Sequence, residues 1–200
     1  FEKDFAIKKY GLNRNRATVI NIISNIPAEN KLKSWDDRYF DLTYFGHLRP
    51  NKGLEDFLSA AKQVTIIKPD IKICIIGQIL PEFKEYTNQL FSSYNYLNFE
   101  LNANADISIV QNKLNNSKIV YLPFPDGISE RRGSFLAAIA NGALVLSYKG
   151  KFTTNTLMQL FIETTNFNAH NIISNLLDTY SNEKLNSHQF KCNSYLNNCL

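Results

Sequence analysis

The sequence predicts an α/β protein: a parallel sheet with helices on both faces. Three observations carry this. Short apolar runs rich in Ile, Val, Leu and Phe recur along the chain. They are continuous, not alternating, as strands covered on both faces require. Between them lie stretches whose apolar positions follow the helical period. Glycines stand where the predicted strands end, at Gly46 and Gly77, so chain reversal falls at the same edge of the sheet.

In order, residues 1 to 12 read as a short charged helix with Gly11 as its stop signal. Thr18 to Ile23 is β-branched and apolar, a predicted strand. Pro27 to Asp37 is polar and reads as a linker. Asp41 to Phe45 is a buried strand ending at Gly46. Leu54, Phe57, Leu58, Ala61, Val64 and Ile67 mark one face of a helix that Pro69-Asp70 breaks. Ile71 to Ile76 is a second core strand. Pro81 opens a helix to about Phe91, and Leu97 to Leu101 is a third strand. Asp106 is placed to cap a helix reaching Leu114. Lys118 to Leu122 is a fourth strand, followed by a helix over Ser134–Asn141 and a strand over Ala143–Tyr148. Ile172, Ile173, Leu176 and Leu177 predict a helix to about Tyr180. Beyond it, a docked helix and a loose tail both fit.

The chain has 200 residues, enough for one domain plus an arm, and 14 Phe and 10 Tyr argue against disorder. The net charge of +4 is spread along the chain and forms no basic stripe, which disfavours nucleic-acid binding. No Gly-x-Gly-x-x-Gly follows a predicted strand, which disfavours a dehydrogenase-type dinucleotide site. Cys74, Cys192 and Cys199 fit no metal-ligand spacing, and reduced cysteines suit a cytoplasmic protein. No apolar run approaches the ~20 residues that span a bilayer. The Asn-, Ile- and Lys-rich usage suggests a bacterial, low-GC source. The chain opens on Phe1, and the expectation is a piece of a longer protein.

The segment Phe124 to Gly142 concentrates the chemistry. A polar loop carries Asp126, Gly127, Glu130, Arg131, Arg132 and Gly133, then passes into an apolar helix. A helix N-terminus attracts anions because its first amides are unpaired and its dipole is positive there. Arginine adds a planar fork that fits phosphate. The plain alternative is a solvated loop pair. Ser134 is a candidate N-cap whose hydroxyl could serve a ligand instead. Pro123, Phe124 and Pro125 are expected to shape the loop, and Tyr39, Phe40, Tyr44 and Phe45 to belong to the core.

Taken together, these segments resemble group 1 glycosyltransferases over about residues 18 to 180. Tyr44 to Leu58, with Gly46, His47, Lys52 and Gly53, resembles the family's Gly-Arg-Leu-x-x-x-Lys-Gly segment. Lys68-Pro69-Asp70 and Ile71 to Gly77 resemble its Pro-Asp strand, and Leu122 to Ser147 the loop, helix and strand of its Glu-x7-Glu motif. Asn21 to Pro27 resembles the segment that closes its N-terminal domain.

The resemblance implies the C-terminal half of a GT-B fold, a Rossmann-like sheet that binds a nucleotide sugar in an interdomain cleft. Residues 1–37 would then end the N-terminal domain and form the linker, and 38–200 would be the nucleotide-sugar-binding domain. It also implies that Lys52 neutralises the donor diphosphate, helped by Arg131, Arg132, Gly133, Ser134, Gly46 and His47. His47 stands where the family has arginine. The second Glu of the motif falls on Ala137 and the first on Ser129, so Glu130 and Asp126 are the candidate catalytic carboxylates. The expected activity is transfer of a sugar, with retention and without a metal or other cofactor, to a glycan or lipid-linked acceptor in surface polysaccharide synthesis. The expected location is the cytoplasm, with peripheral contact at the inner membrane face open to the complete enzyme. The alternative is a non-catalytic relative that only binds or scaffolds.

Overall fold

The structure, a computed structural model, describes residues 2–16 and 22–199. Its six strands are β1 (Phe40–His47), β2 (Ile73–Gln78), β3 (Phe99–Ala103), β4 (Ser117–Leu122), β5 (Leu144–Ser147) and β6 (Ile162–Glu163). All pair in parallel, in the order β3-β2-β1-β4-β5-β6. The helices are α1 (Glu2–Tyr10), α2 (Leu54–Ile67), α3 (Lys84–Ser92), α4 (Ile107–Asn115), α5 (Gly133–Ala140), α6 (Ala169–Thr179) and α7 (Asn182–Cys199). The predicted strand at Thr18–Ile23 falls largely on residues 17–21, outside the described residues; Ile22 and Ile23 are not in a strand.

The sheet separates two apolar layers because successive strand side chains point to opposite faces. Ile73, Ile75, Ile119, Tyr121, Leu144 and Leu146 join the layer under α2 and α6. Cys74, Ile76, Val120, Leu122 and Val145 join the layer containing α4 and α5 side chains. This two-sided burial is why the strands read as continuous apolar runs. Each fully buried Leu or Ile contributes ~1.5–3 kcal/mol.

The α2 helix begins at Gly53, whose φ is 82° and whose Cβ, if present, would lie 2.1 Å from the Pro123 carbonyl oxygen. Glycine is therefore required there, and it brings the start of α2 against the end of β4. Glu55 and Asp56 in the first turn suit the helix dipole. Tyr86 donates to Glu55, and Tyr148 donates to Asp56 at 2.9 Å.

Residues 27–38 lack regular structure but are stitched to the domain. Asn141 Oδ1 accepts from the Glu29 amide at 3.1 Å, and its Nδ2 donates to the Pro27 carbonyl at 3.2 Å. Asn115 brackets the strap likewise, accepting from the Lys33 amide and donating to the Lys31 carbonyl. The buried Arg38 guanidinium donates to the carbonyls of Lys33 and Ser117. Burial lowers its pKa to about 10, so it remains a cation at neutral pH. Trp35 is buried against Tyr180. The stretch that reads as a linker in sequence thus packs as part of the folded body.

At the other end, α7 is a docked helix. Leu185, His188 and Cys192 are buried, and Gln189 donates to the Gly142 carbonyl at 3.0 Å. His188 Nε2 lies 3.4 Å from Cys192 Sγ. Among the described residues no helix is long and apolar enough to cross a membrane.

Candidate functional site

The order of the sheet reverses between β1 and β4, and an open cleft forms at such a switch point, beyond the strand carboxyl ends. A cavity of about 560 Å³ lies at this edge. Its floor includes Gly46 and Gly77, which face each other in register on β1 and β2. A Cβ on Gly77 would come within 2.1 Å of the Gly46 carbonyl oxygen. The pairing requires a bare backbone and keeps the floor low.

One wall is the loop between β1 and α2. Asn51 has φ 59° and Gly53 φ 82°, so the chain turns left-handed on both sides of Lys52. The buried Tyr44 phenol sits 3.0 Å from the Lys52 carbonyl oxygen and 3.2 Å from that of His47. The loop that carries the lysine is therefore tied to the core from beneath.

The facing wall is the start of α5. Its N-cap residue is Arg132, not Ser134; Ser134 lies inside the first turn, and no side chain caps the helix. The first-turn amides lack intrahelical acceptors and stand at the cavity with Gly133 and Ser134. Arg132 lies over the Phe124 ring at 4.4 Å and pairs with Asp126. Its Nε is buried with no hydrogen-bond partner. The loop holding these groups is fixed from behind: Ile128 donates its amide to the Tyr148 carbonyl, and Thr153 Oγ1 donates to the Ile128 carbonyl. Gly127 and Gly150 pack backbone to backbone there.

The site's electrostatics are cationic. Partial burial, then Arg49 and Arg132, lower the pKa of Lys52. Burial, then Arg49 and Lys52, hold His47 below its ordinary 6.5, so it is neutral at pH 7. Burial also lowers the pKa of Arg132. Lys52 and Arg132 are thus close enough to repel, an arrangement an anion would relieve.

Seven sequence-derived candidates line this one cavity: Gly46, His47, Lys52, Arg131, Arg132, Gly133 and Ser134. The two candidate carboxylates do not. Asp126 is exposed and reaches the site through Arg132. Glu130 is exposed and borders a separate groove with Phe190, Lys191 and Tyr195 of α7. Ala137, at the position of the family's second Glu, is fully buried in the layer behind the cavity.

Sequence reading missed part of the cavity lining: Gln78, Asn102 and Asn104 at the β2 and β3 ends, together with Asn25, Ile26, Ala105 and Val110. Asn104 Oδ1 accepts from the Ile79 amide at 3.0 Å, tying the β2 and β3 loops together. The available signal was an amide side chain at the end of each strand, Gln78 on β2 and Asn102 and Asn104 at the end of β3, which resembles ordinary turn chemistry. Among the described residues, no group of three or more His, Cys, Asp or Glu is placed to hold a metal ion.

The cleft, switch point and cationic wall can now be set against known structures. The C-terminal domain of a group 1 glycosyl transferase, LpcC of Francisella tularensis, superposes with a TM-score of 0.65 at 16% identity, over 88% of this chain and 97% of that one. The fold is that of a GT-B C-terminal domain. The pneumococcal O-GlcNAc transferase GtfA, solved with UDP and GlcNAc, gives a TM-score of 0.68 at 12% identity, over 97% of this chain and 40% of that one. Anabaena HepE, solved with UDP and glucose, gives 0.65 at 14% identity, over 83% and 45%. The GT-B domain seen here therefore spans the isolated C-terminal domain but less than half of the two longer chains. No protein-family model matches the sequence, and no curated protein matches it.

Proposed function

We propose that this domain binds a nucleoside-diphosphate sugar and forms the donor half of a glycosyltransferase. The observation that carries the reading is the convergence of Lys52, Arg132 and the uncapped start of α5 on one cavity at the switch point of the sheet. A diphosphate matches such a site in charge and in its need for donors.

The difficult event in glycosyl transfer is departure of the diphosphate. Positive charge held in advance stabilises the developing negative charge without reorganising at that moment. Lys52 and Arg132 are the proposed partners of the leaving group, with the Gly133 and Ser134 amides. The ion pair to Asp126 and the face of Phe124 hold the Arg132 guanidinium in place, so Asp126 is proposed as a positioning residue. Glu130 retains a role only if its loop moves toward the donor. The neutral amide and apolar end of the cavity suits a nucleoside. The acceptor, a glycan or a lipid-linked saccharide, would meet the donor from a second domain, in the cytoplasm and in the service of surface polysaccharide synthesis. Retention of configuration follows from the family resemblance.

Calorimetric titration with UDP and with GDP tests the reading. Binding at millimolar concentration or better, weakened at least about tenfold by Lys52→Ala or Arg132→Ala, is expected from the loss of a charge-assisted hydrogen bond. Silence toward both nucleotides leaves a GT-B fold without donor binding.

A further inference from the structure

Among the described residues, the cavity is lined by three cations, Lys52, Arg131 and Arg132, and by no aspartate or glutamate. The other polar side chains of the lining, among them Asn25, His47, Gln78, Asn102, Asn104 and Ser134, are neutral at pH 7, so the charge facing a ligand is that of the three cations. The cations also fall into two positions. Arg131 and Arg132 are neighbours in sequence, yet their guanidiniums diverge. Arg132 turns inward over Phe124, which lines the cavity, at 4.4 Å. Arg131 is exposed and turns toward Phe152 in the loop after β5, at 5.7 Å. Arg132 belongs with Lys52, whose ammonium feels its charge. Arg131 forms a second cationic point on the rim.

A nucleotide sugar with a neutral hexose offers one anionic centre, its diphosphate. A nucleotide-linked sugar acid offers two, separated by the sugar ring. Resting on the nucleotide-sugar reading above, we propose that the donor sugar is a uronic acid, with its carboxylate held by Arg131 while Lys52 and Arg132 hold the diphosphate. Arginine is the fitting residue for a carboxylate because its fork meets both oxygens.

The test uses two matched pairs titrated into this chain at one ionic strength: UDP-glucuronate against UDP-glucose, and GDP-mannuronate against GDP-mannose. The acidic member of a pair is expected to bind about tenfold tighter, the worth of one charge-assisted contact. Arg131→Gln is expected to bring that ratio to about one. A neutral sugar that binds as tightly as its acidic partner overturns the uronate inference and leaves the nucleotide-sugar reading standing. A preference that survives Arg131→Gln overturns the role of Arg131. Silence from all four ligands overturns both readings.

Discussion

The phenol of Tyr44 lies 3.0 Å from the carbonyl oxygen of Lys52 and 3.2 Å from that of His47, so one buried hydroxyl closes the loop that presents the lysine. Tyr44 itself is packed edge-on to Phe57 in the core. Tyr44→Phe keeps the ring and removes the tie. A hydrogen bond of this kind contributes ~1 kcal/mol. The expected outcome is a folded protein whose UDP affinity falls roughly fivefold. Unchanged affinity would mean that the loop holds its shape without the tie.

Gly53 is the hinge of the same loop. Gly53→Ala places a methyl carbon 2.1 Å from the Pro123 carbonyl oxygen at a left-handed φ. The start of α2 and the end of β4 must separate, and the expected loss of stability is at least ~2 kcal/mol in urea unfolding. Gly11 is the control. It is also left-handed, with φ 64°, but nothing lies within 4 Å of a Cβ there. Gly11→Ala should cost about 1 kcal/mol or less.

His47 links ligand binding to pH. Its pKa lies below the ordinary 6.5 because of burial and the nearby Arg49 and Lys52 charges. An anion beside it favours the protonated ring, so binding a nucleotide sugar takes up a proton. Affinity is therefore expected to rise as pH falls below 6.5, and His47→Asn should flatten that slope. Titration of a UDP-sugar at several pH values reads the effect, since its diphosphate does not titrate in this range.

His188 links folding to pH. Burial, then Lys191, lowers its pKa to about 4 from 6.5. For a group depressed in the folded state, the unfolded chain binds the proton more readily. Its contribution is present above pH 6.5 and is lost as pH falls toward 4. The loss amounts to at most about 3 kcal/mol. Replacing His188 with Gln should make unfolding free energy less steep in pH across that window. An identical slope in both proteins would show that another group governs it.

How legible each part was depends on how local its physics is. The α2 helix is bounded in the structure as its 3.6-residue pattern indicates, Leu54 to Ile67. β1, β2, β4 and β5 are read directly because burial on both faces keeps apolar residues in the majority along each run, with polar residues mostly at the strand ends. One element, β6, escaped, and one, α7, stood open between a docked helix and a loose tail. β6 is only two residues long, so no period can develop. The α7 helix docks through Leu185, His188 and Cys192, a face built partly from a histidine and a cysteine within an Asn-rich segment. The polar strap of residues 27–38 also escaped, because its anchors Asn115 and Asn141 lie far away in sequence. At α5, Ser134 has the chemistry of an N-cap, but the helix starts one residue before it.

By itself the sequence determined the α/β class, the order of the core elements and the identity of the cations that line the cavity. These follow from local periodicity and from residue chemistry. The tertiary structure decided which charges meet. Lys52 and Arg132 share a cavity because the sheet reverses order between β1 and β4 and sets the start of α5 across from the loop before α2. Asp126 and Glu130, in the same loop as Arg132, fall outside it. A side chain's neighbours across a cleft depend on strand order and loop path, and neither is written in the spacing of residues along the chain.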